Sequence, residues 1–381
     1  MENFTAYNPT KLVFGKGCVA QLGKEAAQYG KKALVLIGKG SVKKNGILAA
    51  VEAQLAEAGI QHILVEGIKS NPIYQDADRA VAEAKAFGAE MVIAVGGGSV
   101  VDSAKAVAMG YYVEHSIWDF YTRQAPAPTK ALPVLAVLTL AATGTEMNMF
   151  TVIQSDEAKQ KHGFGHPSLY PKASFLDPEY TYSVAKDYTA FGVADLIAHT
   201  LEIYFDKSES PLSHHIASDI IKLALEYGRK VAQNPQDYEA RANVMWLATT
   251  ALNGSLNAGK KGGDWGVHAF EHTLSALYDI PHGAGLSIIY PAWMRHFYPE
   301  IAPKLDFLAE RVLGAGKKGE DFINALEAFY KEIGTPVRLA EWHIAQDKHE
   351  EILHYLQQNK VKGAFFKMET EDYQKLVALM A

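Results

Sequence analysis

Short, wholly apolar runs alternate with helically periodic stretches along the first 140 residues of the chain. Ala33-Leu-Val-Leu-Ile37 and Met91-Val-Ile-Ala-Val95 are continuous apolar runs. Such a run marks a strand buried on both faces, as in a parallel sheet covered by helices. Lys11 to Gly15, Gln61 to Val65 and Leu132 to Leu138 read as further strands. Between them Val19 to Tyr29, Ile47 to Ala58, Tyr74 to Phe87 and Val100 to Met109 carry apolar residues at helical spacing, with Gly59 and Gly88 as stops. The rhythm predicts an α/β fold, a parallel sheet with helices on both faces.

Beyond Phe175-Leu-Asp177-Pro178 the strand signals fade. Tyr188 to Phe205, Ser213 to Ala232, Tyr238 to Leu256, Val267 to Tyr278, Ile301 to Leu313, Phe322 to Ile333 and His349 to Gln357 all read as helices. Prolines 211, 235, 281, 291, 299, 303 and 336 are expected to punctuate them. The break between the halves falls near residues 178–188. The expected division is an α/β domain over 1–184 and an all-α domain over 185–381.

In a parallel sheet, ligands bind beyond the carboxyl ends of the strands. Four strand ends here carry small polar residues: Gly38-Lys-Gly-Ser41, Ser70-Asn71-Pro72, Gly96-Gly-Gly-Ser99 and Thr139 to Thr145. Small residues let phosphate oxygens reach backbone N–H groups, and a following helix adds its dipole. Each turn alone is an ordinary turn; together they point to a nucleotide. Neither glycine turn completes G-x-G-x-x-G, since Lys43 and Val101 stand at the third glycine. Gly254 to Lys261 imitates a P-loop, but Lys261 replaces the Ser/Thr and the preceding residues read as helix, so it is a coincidence.

The chemistry concentrates between Asp264 and Gly283. His268 and His272 are four apart and share a helix face, and His282 follows just beyond Pro281. Neutral imidazole is the commonest protein ligand for zinc and iron. Any one of these histidines fits the polar face of an amphipathic helix. All three, with Asp264, Trp265 and Gly283 around them, favour a metal or active site. Asp195 and His199, also four apart, add a second ligand-bearing face. This N/O set suits Fe2+ or Zn2+, and equally Co2+ or Ni2+.

Composition narrows the classes. Apolar residues make up 48% and charged residues 21%, as in ordinary globular proteins. A net charge of −6 gives no electrostatic reason to expect nucleic acid or an anionic membrane as partner. The single cysteine, Cys18, excludes an intrachain disulfide and a cysteine-rich zinc site, and fits a cytoplasmic setting. No signal-peptide pattern and no run of about twenty apolar residues is present.

Gly-Gly-Gly-Ser-x-x-Asp after a strand, Asp-x-x-x-His, and Asp-Trp-x-x-His-x-x-x-His followed by His-Gly together resemble the iron-containing (group III) alcohol dehydrogenases, most closely their butanol dehydrogenase and aldehyde reductase branch. The likeness extends over Lys43 to Gly46, Thr139 to Glu146, Leu176 to Pro178 and Pro291 to Arg295. It implies a Rossmann-like α/β domain followed by the all-α domain, with the active site in the interdomain cleft. It implies metal ligation by Asp195, His199, His268 and His282, with His272 unligated beside nicotinamide and substrate. His268 and His272 are thus the expected catalytic histidines. It places pyrophosphate on Gly97, Gly98 and Ser99, Asp102 near the nicotinamide, and Gly38, Gly40, Ser41 and Asn71 on the adenosine side. Thr139, Thr143 and Lys161 complete the cofactor site. The implied activity is metal-dependent interconversion of short- to medium-chain primary alcohols and aldehydes by a homodimer.

NADP(H) is expected over NAD(H), because the turn from Gly38 to Lys44 holds no acid to repel a 2′-phosphate. Ala141, Lys39, Thr145 and Val267 depart from the branch's usual residues and bear on pocket shape, not on the ligands. A glycerol dehydrogenase or dehydroquinate synthase relative would share the site but not the chemistry. From another class, His268-Ala-Phe-Glu271-His272 satisfies H-x-x-E-H, a zinc peptidase pattern in which Glu271 activates water. That alternative leaves the glycine turns and His282 unexplained.

Overall fold

The computed structural model describes residues 1–381. The chain divides into two compact units, one of Asn8–Asp156 and Lys161–Val184, the other of Met1–Tyr7, Glu157–Gln160 and Ala185–Ala381. In the α/β unit, six strands form a parallel sheet: β1 (Lys11–Phe14), β2 (Lys32–Ile37), β3 (Gln61–Val65), β4 (Met91–Gly96), β5 (Val134–Leu138) and β8 (Ala173–Leu176). Their order is β1-β8-β5-β4-β2-β3. β4, β5 and β8 are buried at every residue and β2 at all but its first, which is why their sequences are apolar without alternation.

The order sets the position of the site. From β2 the chain steps outward to β3, then returns to place β4 on the other side of β2. The crevice at such a reversal is where ligands enter an open α/β sheet. Ile37 and Val95 are register partners across it, so the turn after β2 lies beside the turn after β4.

Three strands escape the sequence pattern. β8 has only four residues, too few to show a period. β6 (Phe150–Ser155) and β7 (Gln160–Gly165) form a separate two-stranded sheet. Gly163, Gly165 and the charged Lys161 hide β7. The helix expected over Val19 to Tyr29 is a 3-10 turn, Cys18–Gln21, and a short helix, Leu22–Ala26.

The helical unit is built around Lys186–Tyr204, buried from Thr189 through Tyr204. Two helices there were not legible from the pattern, His282–His296 and Thr370–Met380. Pro291 and Pro303 lie inside helices instead of ending them. Proline removes its own N–H and crowds the preceding turn; Pro291 stands in a helix buried from Gly283 to Met294, where packing offsets that loss. The helix beginning at Tyr238 stops at Leu252, and Gly254, at φ 94°, starts a 3-10 turn, so the P-loop look-alike follows a helix.

Candidate active site

Two helices and one helix start bring four side chains together. Asp195 and His199 lie one turn apart on Lys186–Tyr204, His268 lies on Gly266–Tyr278, and His282 opens His282–His296 behind Pro281. One ligand atom from each of the four lies within 4.8 Å of the others. Asp195 Oδ1 stands 3.4 Å from His199 Nδ1, 3.7 Å from His282 Nε2 and 4.0 Å from His268 Nε2. A tetrahedron with metal bonds of about 2.0–2.2 Å has edges of about 3.3–3.6 Å, so the spacing fits one ion at the centre.

The polar atoms agree with that fit. His199 Nδ1 and His268 Nε2 are buried and have no hydrogen-bond partner. Buried polar atoms without partners are rare and costly, and a cation between them resolves both. Burial holds the His199 pKa well below its ordinary value, reinforced by His268 and His282 nearby. The imidazole is therefore neutral, the form that ligates a metal.

Two carboxylates aim these rings: Glu202, which sequence reasoning missed, and Glu271, which it named only as the water-activating base of the H-x-x-E-H alternative. Glu202 Oε1 accepts from His268 Nδ1 at 2.8 Å and from the His268 backbone N–H at 3.0 Å. Its Oε2 accepts from the Trp265 N–H at 2.6 Å, holding Trp265 in the left-handed region at φ 62°. Glu271 Oε2 accepts from His282 Nδ1, while its Oε1 accepts from Ser275. With Nδ1 of each ring committed, Nε2 of His268 and His282 faces the shared point. A histidine ligand oriented by a carboxylate in this way is the usual outer shell of a metal site. The signal for Glu202 was available: it follows His199 by three and Asp195 by seven on one helix, and so shares their face.

His272 is half-buried and outside this group of four; its ring lies 5.8 Å from that of His282. It falls in a second grouping with Glu271 and His282. Glu271 is fully buried and engaged by His282 and Ser275, so it is not placed to activate water as H-x-x-E-H requires.

In the α/β unit the glycine turns follow the carboxyl ends of β2 and β4. Gly97 precedes the helix Gly98–Gly110, which starts directly at the end of β4. A Cβ on Gly98 would lie 2.5 Å from Thr143 Oγ1, and one on Gly97 would lie 3.2 Å from Leu140 Cβ. The Thr139 N–H donates to Gly96 O at 3.0 Å, so Thr139 and Thr143 sit against the glycine turn. Ser99 donates to Ser70 O, and Lys161 Nζ donates to Asn71 Oδ1 at 3.2 Å. Gly38 and Gly40 end β2, Gly40 at φ 103° ahead of the short helix Ser41–Lys44. Asp102 turns inward: Oδ1 accepts from Thr145 Oγ1 at 2.6 Å and Oδ2 from the Val152 N–H at 2.8 Å. Burial raises its pKa, which Lys105 and the Thr145 hydrogen bond oppose.

Comparison with known proteins adds a second line. Residues 9–178 match the family model described as iron-containing alcohol dehydrogenase, and residues 189–380 match the C-terminal model of the same family. The chain is 39% identical to the probable NADH-dependent butanol dehydrogenase 1 of Bacillus subtilis over 98% of both chains. It is 34% identical to the NADPH-dependent aldehyde reductase YqhD of Escherichia coli, covering 90% of this chain and 89% of that one. The crystal structure of NADH-dependent butanol dehydrogenase A from Thermotoga maritima superposes with a TM-score of 0.97 at 41% identity, over 100% of this chain and 99% of that one.

Proposed function

The chain belongs to the iron-containing alcohol dehydrogenase family, and from that premise we propose that it is a metal-dependent, nicotinamide-linked alcohol dehydrogenase and aldehyde reductase for short- to medium-chain primary alcohols and their aldehydes. The observation that carries the proposal is the convergence of Asp195, His199, His268 and His282 on one point. When bound, a divalent ion such as Fe2+ or Zn2+ supplies Lewis acidity at the substrate oxygen, and the nicotinamide gives or takes the hydride. Asp195 contributes the one anionic ligand. Glu202 and Glu271 keep His268 and His282 in the ligating tautomer. His272, beside the ligands without joining them, is assigned the proton that must leave or reach the substrate oxygen.

Gly97, Gly98 and Ser99 are assigned to the pyrophosphate, and Gly38, Gly40, Ser41 and Asn71 to the adenosine side. Thr139, Thr143 and Lys161 are assigned to the nicotinamide half, with Asp102 near it. The proposal extends to the functional division at residues 1–184 and 185–381. It extends also to a homodimer, for which β1 offers a sheet edge with Phe14 exposed, and to residence in the cytoplasm. No helix is long and apolar enough to cross a membrane.

The nucleotide is proposed to be NADP(H) in preference to NAD(H). The relatives' names divide between NADH and NADPH, so the assignment rests on this chain's own turn. Nothing lies within 4 Å of where a Gly40 Cβ would stand, and no acid occurs from Gly38 to Lys44. Lys43 pairs with Glu66 at 2.7 Å, but both are exposed, and such a pair is worth little against a phosphate. Catalytic efficiency for butanal reduction should favour NADPH by roughly ten- to a hundredfold. Gly40→Asp should erode or reverse this. Gly40→Asn strains the same left-handed backbone without the charge and should leave the ratio nearer to wild type. Equal wild-type efficiencies, or Asp and Asn variants that behave alike, would show that the 2′-position is not read here. A panel of alcohols and aldehydes run beside it tests the substrate class; a strict need for a diol or a charged substrate overturns it.

A further inference from the structure

Lys105, two turns into the helix Gly98–Gly110, is completely buried, yet no apolar pocket receives it. Its Nζ stands among five oxygens: Phe150 O at 2.6 Å, Thr145 O and Oγ1 each at 2.7 Å, Asn148 O at 2.9 Å and Asn148 Oδ1 at 3.3 Å. An ammonium has only three N–H bonds to give. Five acceptors around it make an oxygen cage of the kind that holds a small monovalent cation.

The cage is built from one stretch of chain, and that stretch is tied to the glycine turn. Thr145 Oγ1 donates onward to Asp102 Oδ1 at 2.6 Å, and the Thr145 N–H donates to Thr143 Oγ1 at 3.3 Å. Asn148 Nδ2 donates to Gly144 O at 2.9 Å, and the Phe150 N–H donates to Asn148 Oδ1 at 2.8 Å. Thr143 in turn occupies the space that a Cβ on Gly98 would fill. Without a cation, the carbonyls of Thr145, Asn148 and Phe150 would be buried close together with a donor lost, which is costly.

We propose that Lys105 is a positioning residue for the nucleotide: its ammonium is the internal cation around which residues 143–150 fold, and it thereby seats Thr143 against the Gly97-Gly98 turn. The inference rests on the nucleotide reading given above. It adds a residue, remote from the phosphates, that fixes the shape of their cradle.

Calorimetric titration with NADPH tests it. Lys105→Met keeps most of the unbranched side chain and removes the ammonium, and should weaken binding by about tenfold or more through lost preorganisation. Lys105→Ala should bind as weakly and recover toward wild type when millimolar propylammonium refills the cage. Tetramethylammonium, which has no N–H and is too large, should restore nothing. A purely packing role would be restored equally by uncharged 1-propanol of the same size, so rescue by propylammonium and 1-propanol alike, or a weakened variant without rescue, overturns the inference. Lys105→Met that binds as tightly as wild type also overturns it. Wild-type protein that binds no nucleotide defeats the cofactor reading and the inference together. Hydrogen exchange on the wild type serves if the variants fold poorly. The amides of Thr145 and Phe150 should gain protection on NADPH binding, and unchanged exchange there overturns the inference.

Discussion

Asp195 Oδ1 lies within 4.0 Å of ring nitrogens from three histidines, and that single atom organises the site. The pairing of Asp195 with His199 was legible in the sequence, because an i, i+4 pair declares a shared helix face. The i, i+4 pair of His268 with His272 offered His272 as readily as His282, and only the family resemblance chose between them. Which nitrogen of each ring faces the centre was not legible, since that depends on Glu202 and Glu271 and on how the helices cross. Lys105 was equally hidden, a lysine in a run of small apolar residues with its partners some forty positions on. The orienting role of Glu202 gives a contrast between variants. Glu202→Gln removes the charge behind His268 and should lower metal affinity about 10- to 100-fold. His272→Ala should leave metal affinity unchanged while turnover falls. Competition against a chromogenic chelator, beside steady-state rates, reads both. Metal loss in His272→Ala with full retention in Glu202→Gln would reverse the assignment.

At the scale of elements, the site depends on how closely two helices meet. A Cβ on Gly283 would come within 2.0 Å of the Phe191 carbonyl oxygen, so the start of His282–His296 lies directly on Lys186–Tyr204. These elements carry His282 on one side and Asp195 and His199 on the other. Gly283→Ala must push them apart, at about 1–3 kcal/mol in stability. The melting temperature and the metal affinity should fall together. A variant with the wild-type melting temperature and metal content would mean that the helices are not in such contact. The wholly apolar runs of β2 and β4 announced themselves, as did Gln61–Val65 and Tyr74–Phe87 to the residue. His282–His296 did not, because Pro291 inside it reads as a breaker when its buried surroundings are unknown. β8 was too short to show a period and β7 too polar.

For the whole molecule, composition spoke to class and said nothing of the charges buried beside the apolar core. In the helical unit, Lys260 Nζ lies 2.9 Å from Asp206 Oδ1 and 2.9 Å from His214 Nε2. His214 can accept that bond only when neutral. Burial, then Lys260 and Lys304, push its pKa from 6.5 down to about 4, against Glu209 and Asp206. Between these values the unfolded chain binds the extra proton, so stability rises with pH across the window and is lost as pH falls through it. The effect is on the order of 1–3 kcal/mol. Urea unfolding from pH 4 to pH 7 should show this slope in wild type and a flatter one in His214→Gln; identical slopes would remove His214 as the cause.

One metal ion, held by Asp195, His199, His268 and His282, is proposed to be required for nicotinamide-linked aldehyde reduction. The most direct test is to strip the protein with chelator, restore Fe2+ or Zn2+ in increments, and follow butanal-dependent NADPH oxidation beside bound metal. Activity should be absent from stripped protein and rise in proportion to metal, saturating at one ion per chain. His282→Ala should neither take up the ion nor turn over. Full activity in the stripped protein, or in His282→Ala, would mean that this site is not where the metal acts.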